Sequence, residues 1–128
     1  MHYDASILLV DDYKFIRTIL ERMLHQLGYQ NLRTAVDGVE ALKLLRSQPV
    51  DLVITDYHMP EMDGISLFQS MKQELVLAKI PVLLISGVPT EKFATQALAM
   101  GIQSTLTKPF RAEQLDQEIQ SLLTQSLC

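Results

Sequence analysis

Five short apolar runs punctuate the chain, and each leads into a segment whose apolar residues recur every three or four positions. The first run, SILLV (6–10), is branched and apolar without alternation, which suits a strand covered on both faces; it ends at Asp11. From Tyr13 onward Phe15, Ile16, Ile19, Leu20, Met23, Leu24 and Leu27 share one side of a predicted helix, with Lys14, Thr18, Glu21 and His25 opposite and Gly28 as the stop. LRTAV (32–36) is more polar and predicts an edge strand, after which Asp37 and Gly38 turn the chain into a helix from Val39 to Arg46, closed by Pro49. DLVITD (51–56) predicts a third strand. Asp63 and Gly64 precede a helix with Ile65, Phe68 and Met71 inward, followed by a looser connection over 74–79. PVLLIS (81–86) is the most apolar strand, and Thr90 caps a helix to Met100 with Gly101 past its end. The last unit is the strand QSTLT (103–107), then KPF, then a helix from Ala112 to about Gln125 with Ala112, Leu115, Ile119 and Leu122 inward.

Strands that alternate with helices need crossover connections, so neighbouring strands run parallel and helices cover both faces. The expected fold is doubly wound α/β, with five strands and five helices in one domain spanning residues 1–128. No dinucleotide-binding glycine fingerprint is present, which favours the flavodoxin-like strand order 2-1-3-4-5. Composition agrees, with 48% apolar and 20% charged residues and no low-complexity segment. A net charge of −4 argues against direct nucleic-acid binding, which needs a basic face to displace counterions from phosphates. The single cysteine, Cys128, cannot form an internal disulfide, and no apolar stretch is long enough to span a bilayer. A cytoplasmic protein without membrane insertion is expected.

In parallel α/β sheets ligands bind at the carboxyl ends of the strands, beside the point where strand order reverses. There strand one offers Asp11 and Asp12, strand three Asp56, strand four Ser86 and strand five Lys108. Each alone has an ordinary explanation as a cap, a turn residue or a solvated charge. Together at one edge they point to chemistry. Three clustered carboxylates repel one another unless a cation joins them, and a hard divalent ion such as Mg2+ takes oxygen ligands of this kind. His2, His25 and His58 are scattered, so no transition-metal set is apparent. Beside such an ion Asp56 is a nucleophile toward phosphorus, with Lys108 and Ser86 available to bind phosphoryl oxygens.

VDD at 10–12, TDYHMPEMDG at 55–64, LLISG at 83–87 and TKPF at 107–110 stand in the order and spacing of a known family, and over nearly its whole length the chain resembles the receiver domain of two-component response regulators. It looks like the single-domain kind, typified by chemotaxis and sporulation regulators. The resemblance implies that Asp56 is the phosphoacceptor and that Asp11, Asp12, Asp56 and the backbone carbonyl of His58 hold Mg2+. It also implies that Ser86 and Lys108 contact the phosphoryl group and that the Lys108–Pro109 bond is cis. The implied partners are a histidine kinase or histidine phosphotransfer protein, docking near Lys14, Arg17 and Arg22 on the first helix, and an unidentified output protein. By the resemblance, a homodimer would use the face of the fourth helix, where Phe93, Ala94, Ala97, Leu98 and Met100 form an apolar stripe that is either a wide, well-buried face or an exposed partner surface.

The chain departs from the family pattern at Thr105, where an aromatic switch residue often stands, so an aromatic readout on strand five is not expected. The positions that tune phosphate lifetime are His58 and Val88; Val88 cannot position a hydrolytic water, which predicts slow self-dephosphorylation. A phosphatase with an aspartyl-phosphate intermediate would want an acid two residues after its nucleophile, where this chain has His58 after Asp56 and Lys14 after Asp12. A flavin carrier would need a hydroxyl- and glycine-rich loop in place of DDYKF. A receiver-fold scaffold that is never phosphorylated is the remaining alternative to the signalling switch.

Overall fold

In a computed structural model that describes residues 3–57, 62–87, 97–102 and 104–126, the elements follow the predicted order. They are β1 (Ile7–Val10), α1 (Lys14–Leu27), β2 (Leu32–Ala35), α2 (Gly38–Ser47), β3 (Leu52–Asp56) and α3 (Gly64–Lys72). A short 3-10 turn (Leu77–Lys79), β4 (Val82–Ser86), β5 (Ser104–Thr107) and α4 (Ala112–Ser126) complete the set. Residues 97–99 are helical and form the described end of the helix predicted over 90–100. Phe93, Ala94, His58, Val88, Gln103, His2 and Cys128 lie outside the described residues.

All strand pairs are parallel, in the order β2-β1-β3-β4-β5, so the doubly wound α/β fold is as the pattern predicts. Successive side chains of a strand point to opposite faces, and this divides the core in two. Leu8, Val10, Val53, Val82 and Leu84 pack with Ala41, Leu45, Leu67, Phe68 and Met71 of α2 and α3. Ile7, Leu9, Ile54, Leu83 and Ile85 pack with Leu20 and Leu24 of α1 and with Leu115, Ile119 and Leu122 of α4. Strands β1, β3 and β4 are buried throughout, whereas the edge strand β2 is only partly covered.

Local chemistry fixes the helix starts. Asp37 accepts from the Glu40 N–H at 2.8 Å, while the Glu40 side chain reaches back to the Val36 N–H at 3.3 Å. Asp63 caps α3 through the Ser66 N–H at 2.8 Å. At the far end of α1, Gly28 adopts φ of 110°, a left-handed conformation that ends the helix with least strain. Two residues predicted to face inward do not: Phe15 is 74% and Ile19 40% exposed. The apolar stripe of α1 is wider than the strip that rests on the sheet and α4, so only Leu20 and Leu24 are fully covered and Phe15 and Ile19 overhang into solvent. The connection after α3 also differs from a loose loop, because Leu77 is buried and anchors the 3-10 turn.

Candidate functional site

Strand register brings the predicted groups to one edge. Val10 pairs with Thr55, so Asp11 follows β1 beside Asp56 at the end of β3, where strand order reverses between β1 and its two neighbours. Asp56 pairs with Ile85 and Ser86 with Thr107, which places Ser86 and then Lys108 progressively along the same edge. Carboxylate oxygens of Asp11, Asp12 and Asp56 lie within 4.8 Å of one another. The Lys108 Nζ is 3.4 Å from Asp56 Oδ1, and the Lys108 N–H donates to the Ser86 carbonyl at 2.9 Å. The Lys108–Pro109 bond is cis, as the resemblance implies.

Asp11, Asp56 and Ser86 are almost fully buried, at 1%, 9% and 0% exposure. Asp11 Oδ1 accepts the Tyr13 N–H at 2.9 Å, and the Asp11 carbonyl accepts from Arg17 Nη1 at 2.7 Å. Burial pushes the Asp11 carboxyl above the usual carboxylate range; Asp56 and Asp12 add to this, and the Tyr13 N–H and Lys108 oppose it. Among the described residues Asp12 Oδ1 is buried without a hydrogen-bond partner. A buried carboxylate oxygen with no donor is costly. An orphaned acceptor among crowded carboxylates is what a hard divalent cation would satisfy, so the residues present fit Mg2+.

The main chain around Asp56 is closely held. Thr55 Oγ1 donates to the Asp56 carbonyl at 3.0 Å, the Tyr57 N–H donates to Ile85, and the Gly64 N–H donates to Tyr57. A Cβ at Gly64 would meet the Asp56 carbonyl oxygen at 2.6 Å and Leu84 Cδ1 at 2.5 Å, so glycine is required where α3 passes the strand end. Thr105 is partly buried on β5. The predicted His58 carbonyl ligand and Val88 lie outside the described residues.

The sequence pattern did not assign Arg17 to the acid cluster itself. Its position on the first turn of a helix that begins beside two acids puts it within reach of them, but where its side chain points is visible only in the structure. It also missed Tyr29, whose buried hydroxyl donates to Asp116 Oδ1 at 2.6 Å and accepts from Gln120 Nε2 at 2.7 Å, tying the end of α1 to α4. Ser104 similarly ties β5 to α4 by donating to Glu118.

A family model described as the response regulator receiver domain matches residues 7–120. Chemotaxis protein CheY of Pseudomonas aeruginosa is 34% identical over 117 residues, covering 91% of this chain and 94% of that protein. The receiver domain of a signal transduction histidine kinase from Syntrophus aciditrophicus is 32% identical with a TM-score of 0.84, covering 94% of this chain and 90% of that one. The receiver domain of a sensor histidine kinase from Pseudomonas aeruginosa, solved with a magnesium ion coordinated in its active-site cleft, is 26% identical with a TM-score of 0.85. That match covers 94% of this chain and 98% of the other.

Proposed function

The chain belongs to the response regulator receiver family, and from that premise we propose that it is a phosphoacceptor switch in two-component signalling. Asp56 takes a phosphoryl group from a phosphohistidine on a histidine kinase or histidine phosphotransfer protein, and the modified protein changes its affinity for an output partner. The observation that carries this reading is the convergence of Asp11, Asp12, Asp56 and Lys108 at one sheet edge, with Asp12 Oδ1 unpartnered among the described residues.

In the transfer an Asp56 carboxylate oxygen forms the new bond to phosphorus as the phosphorus–nitrogen bond breaks, and the electron pair of that bond stays on the imidazole nitrogen. Lys108, already 3.4 Å from Asp56 Oδ1, donates to a phosphoryl oxygen, and the Ser86 hydroxyl donates to another. Asp11, Asp12, Asp56 and the His58 carbonyl would hold Mg2+, which supplies positive charge against the phosphoryl oxygens. The magnesium reported for the Pseudomonas sensor-kinase receiver supports extending that ion to this chain.

A phosphoryl group shifts a conformational equilibrium only by contacting the two states differently. Ser86, buried at the end of β4, is positioned for that contact, and Thr105 leaves the readout without an aromatic rotamer. The output partner or a second copy would meet the face that includes Leu98, which is 63% exposed beside buried Ala97. Among the described residues no helix is long and apolar enough to cross a membrane. The test is intact mass after incubation with acetyl phosphate and Mg2+. One added phosphoryl group on the wild type and none on Asp56→Asn is expected; no addition to the wild type contradicts the proposal.

A further inference from the structure

Among the described residues, one cation from outside the acid cluster, Arg17, holds the Asp11–Asp12 peptide. The Asp11 N–H is used by the Ala35 carbonyl at 3.2 Å, its Oδ1 by the Tyr13 N–H at 2.9 Å and its carbonyl by Arg17 Nη1 at 2.7 Å. A peptide unit is planar, so fixing the direction of the Asp11 carbonyl fixes the direction of the Asp12 N–H and limits where the Asp12 side chain can point. That side chain carries the orphaned Oδ1. The Arg17 main-chain N–H donates to the Tyr13 carbonyl at 3.1 Å in the first turn of α1, which fixes the backbone from which its side chain reaches the Asp11 carbonyl.

We infer that Arg17 is a positioning residue for divalent-cation binding, acting through the Asp11 main chain to aim the Asp12 carboxylate into the site. This rests on the proposed metal-binding role of the acid cluster and adds a residue to it. Arg17 does not act by attracting the ion, because its positive charge opposes a cation's approach. The two effects therefore have opposite signs. If charge dominated, neutralising Arg17 would tighten Mg2+ binding; if the hold on the peptide dominates, neutralising it weakens binding.

The experiment is calorimetric titration of the metal-free protein with MgCl2 alone, comparing wild type, Arg17→Met and Arg17→Lys, with metal-free thermal unfolding recorded for each. Methionine keeps an apolar stem of similar reach without a donor, and lysine keeps the charge and an N–H donor group without the planar guanidinium fork. Arg17→Met is expected to weaken Mg2+ binding roughly 10-fold or more, as removal of an outer partner of a metal ligand does, with Arg17→Lys falling between it and the wild type. Should Arg17→Met not fold, the weaker affinity expected of Arg17→Lys carries the test. An unchanged or tightened affinity in the folded variants overturns the inference, and a change confined to thermal stability does so too. Failure of the wild type itself to bind Mg2+ would overturn the metal site and Arg17 together, whereas binding by the wild type and variants alike removes only Arg17.

Discussion

Lys108 and Asp56, 52 residues apart in sequence, meet at 3.4 Å across the carboxyl edge of the sheet, with β4 lying between the strands that carry them. The contact is long for a charge-assisted hydrogen bond, whose usual range is about 2.7–2.9 Å. Asp56 thus has a cation beside it that can turn to a phosphoryl oxygen without giving up a tight ion pair.

Removing that cation should slow acceptance of the phosphoryl group. For Lys108→Met the initial rate with acetyl phosphate is expected to fall by roughly 100-fold, the cost typical of deleting one donor to a developing charge. The same change should tighten Mg2+ binding, because it takes a positive charge away from three carboxylates. Time-resolved intact mass and Mg2+ titration measure the two effects, and an undiminished rate would show that Lys108 is not a phosphoryl ligand.

The acid cluster should cost stability when no metal is bound. Asp11 has its carboxyl pKa raised above 3.8, first by burial and then by Asp56 and Asp12. A group whose folded pKa is raised favours the folded state below its unfolded value, and that contribution is lost as pH rises through the folded value. Asp11→Asn is therefore expected to flatten the pH dependence of metal-free stability above pH 3.8 and to raise stability at neutral pH. Urea unfolding with a chelator, repeated with Mg2+, checks this; a variant less stable than wild type without metal would contradict it.

Tyr29 should be a structural staple independent of the site. Its hydroxyl is shared by Asp116 and Gln120, so Tyr29→Phe leaves both without that partner and should cost about 1–3 kcal/mol. Burial and the Asp116 carboxylate hold the Tyr29 phenol well above its usual value of 10.0. Its contribution is therefore fully present below pH 10 and fades only as pH rises toward the folded value. Denaturation of wild type and Tyr29→Phe at neutral and strongly alkaline pH should show the gap closing, with phosphorylation of the variant unchanged at neutral pH.

Val88 offers no polar group to orient a water toward an acyl phosphate, so the phosphorylated protein should hydrolyse slowly. A half-life of minutes or longer after removal of the donor is expected from intact mass; a half-life of seconds would contradict it.

Much of this was legible in the sequence because its signals are local. SILLV, DLVITD and PVLLIS are apolar on both faces, as only central strands of a parallel sheet need to be, and the acids, serine and lysine stand at their ends. Helical periodicity locates a face but not how much of it the sheet covers, which is why Phe15 and Ile19 were expected inside and are exposed. The Tyr29–Asp116 bond joins residues 87 positions apart and leaves no local pattern. Arg17 is close in sequence to the acids, but its hold on the Asp11 carbonyl depends on the direction of one side chain at the start of α1, which spacing does not determine.

The most direct test of the central claim is chemical trapping of the modified residue. After brief treatment with acetyl phosphate and Mg2+, borohydride reduces an acyl phosphate to the alcohol, and peptide mapping by mass spectrometry locates it. Conversion of Asp56 to homoserine, absent without the donor and absent in Lys108→Met at the same early time, is the predicted result. Modification at Asp11 or Asp12 instead, or none at any carboxylate, would contradict the assignment of Asp56 as phosphoacceptor.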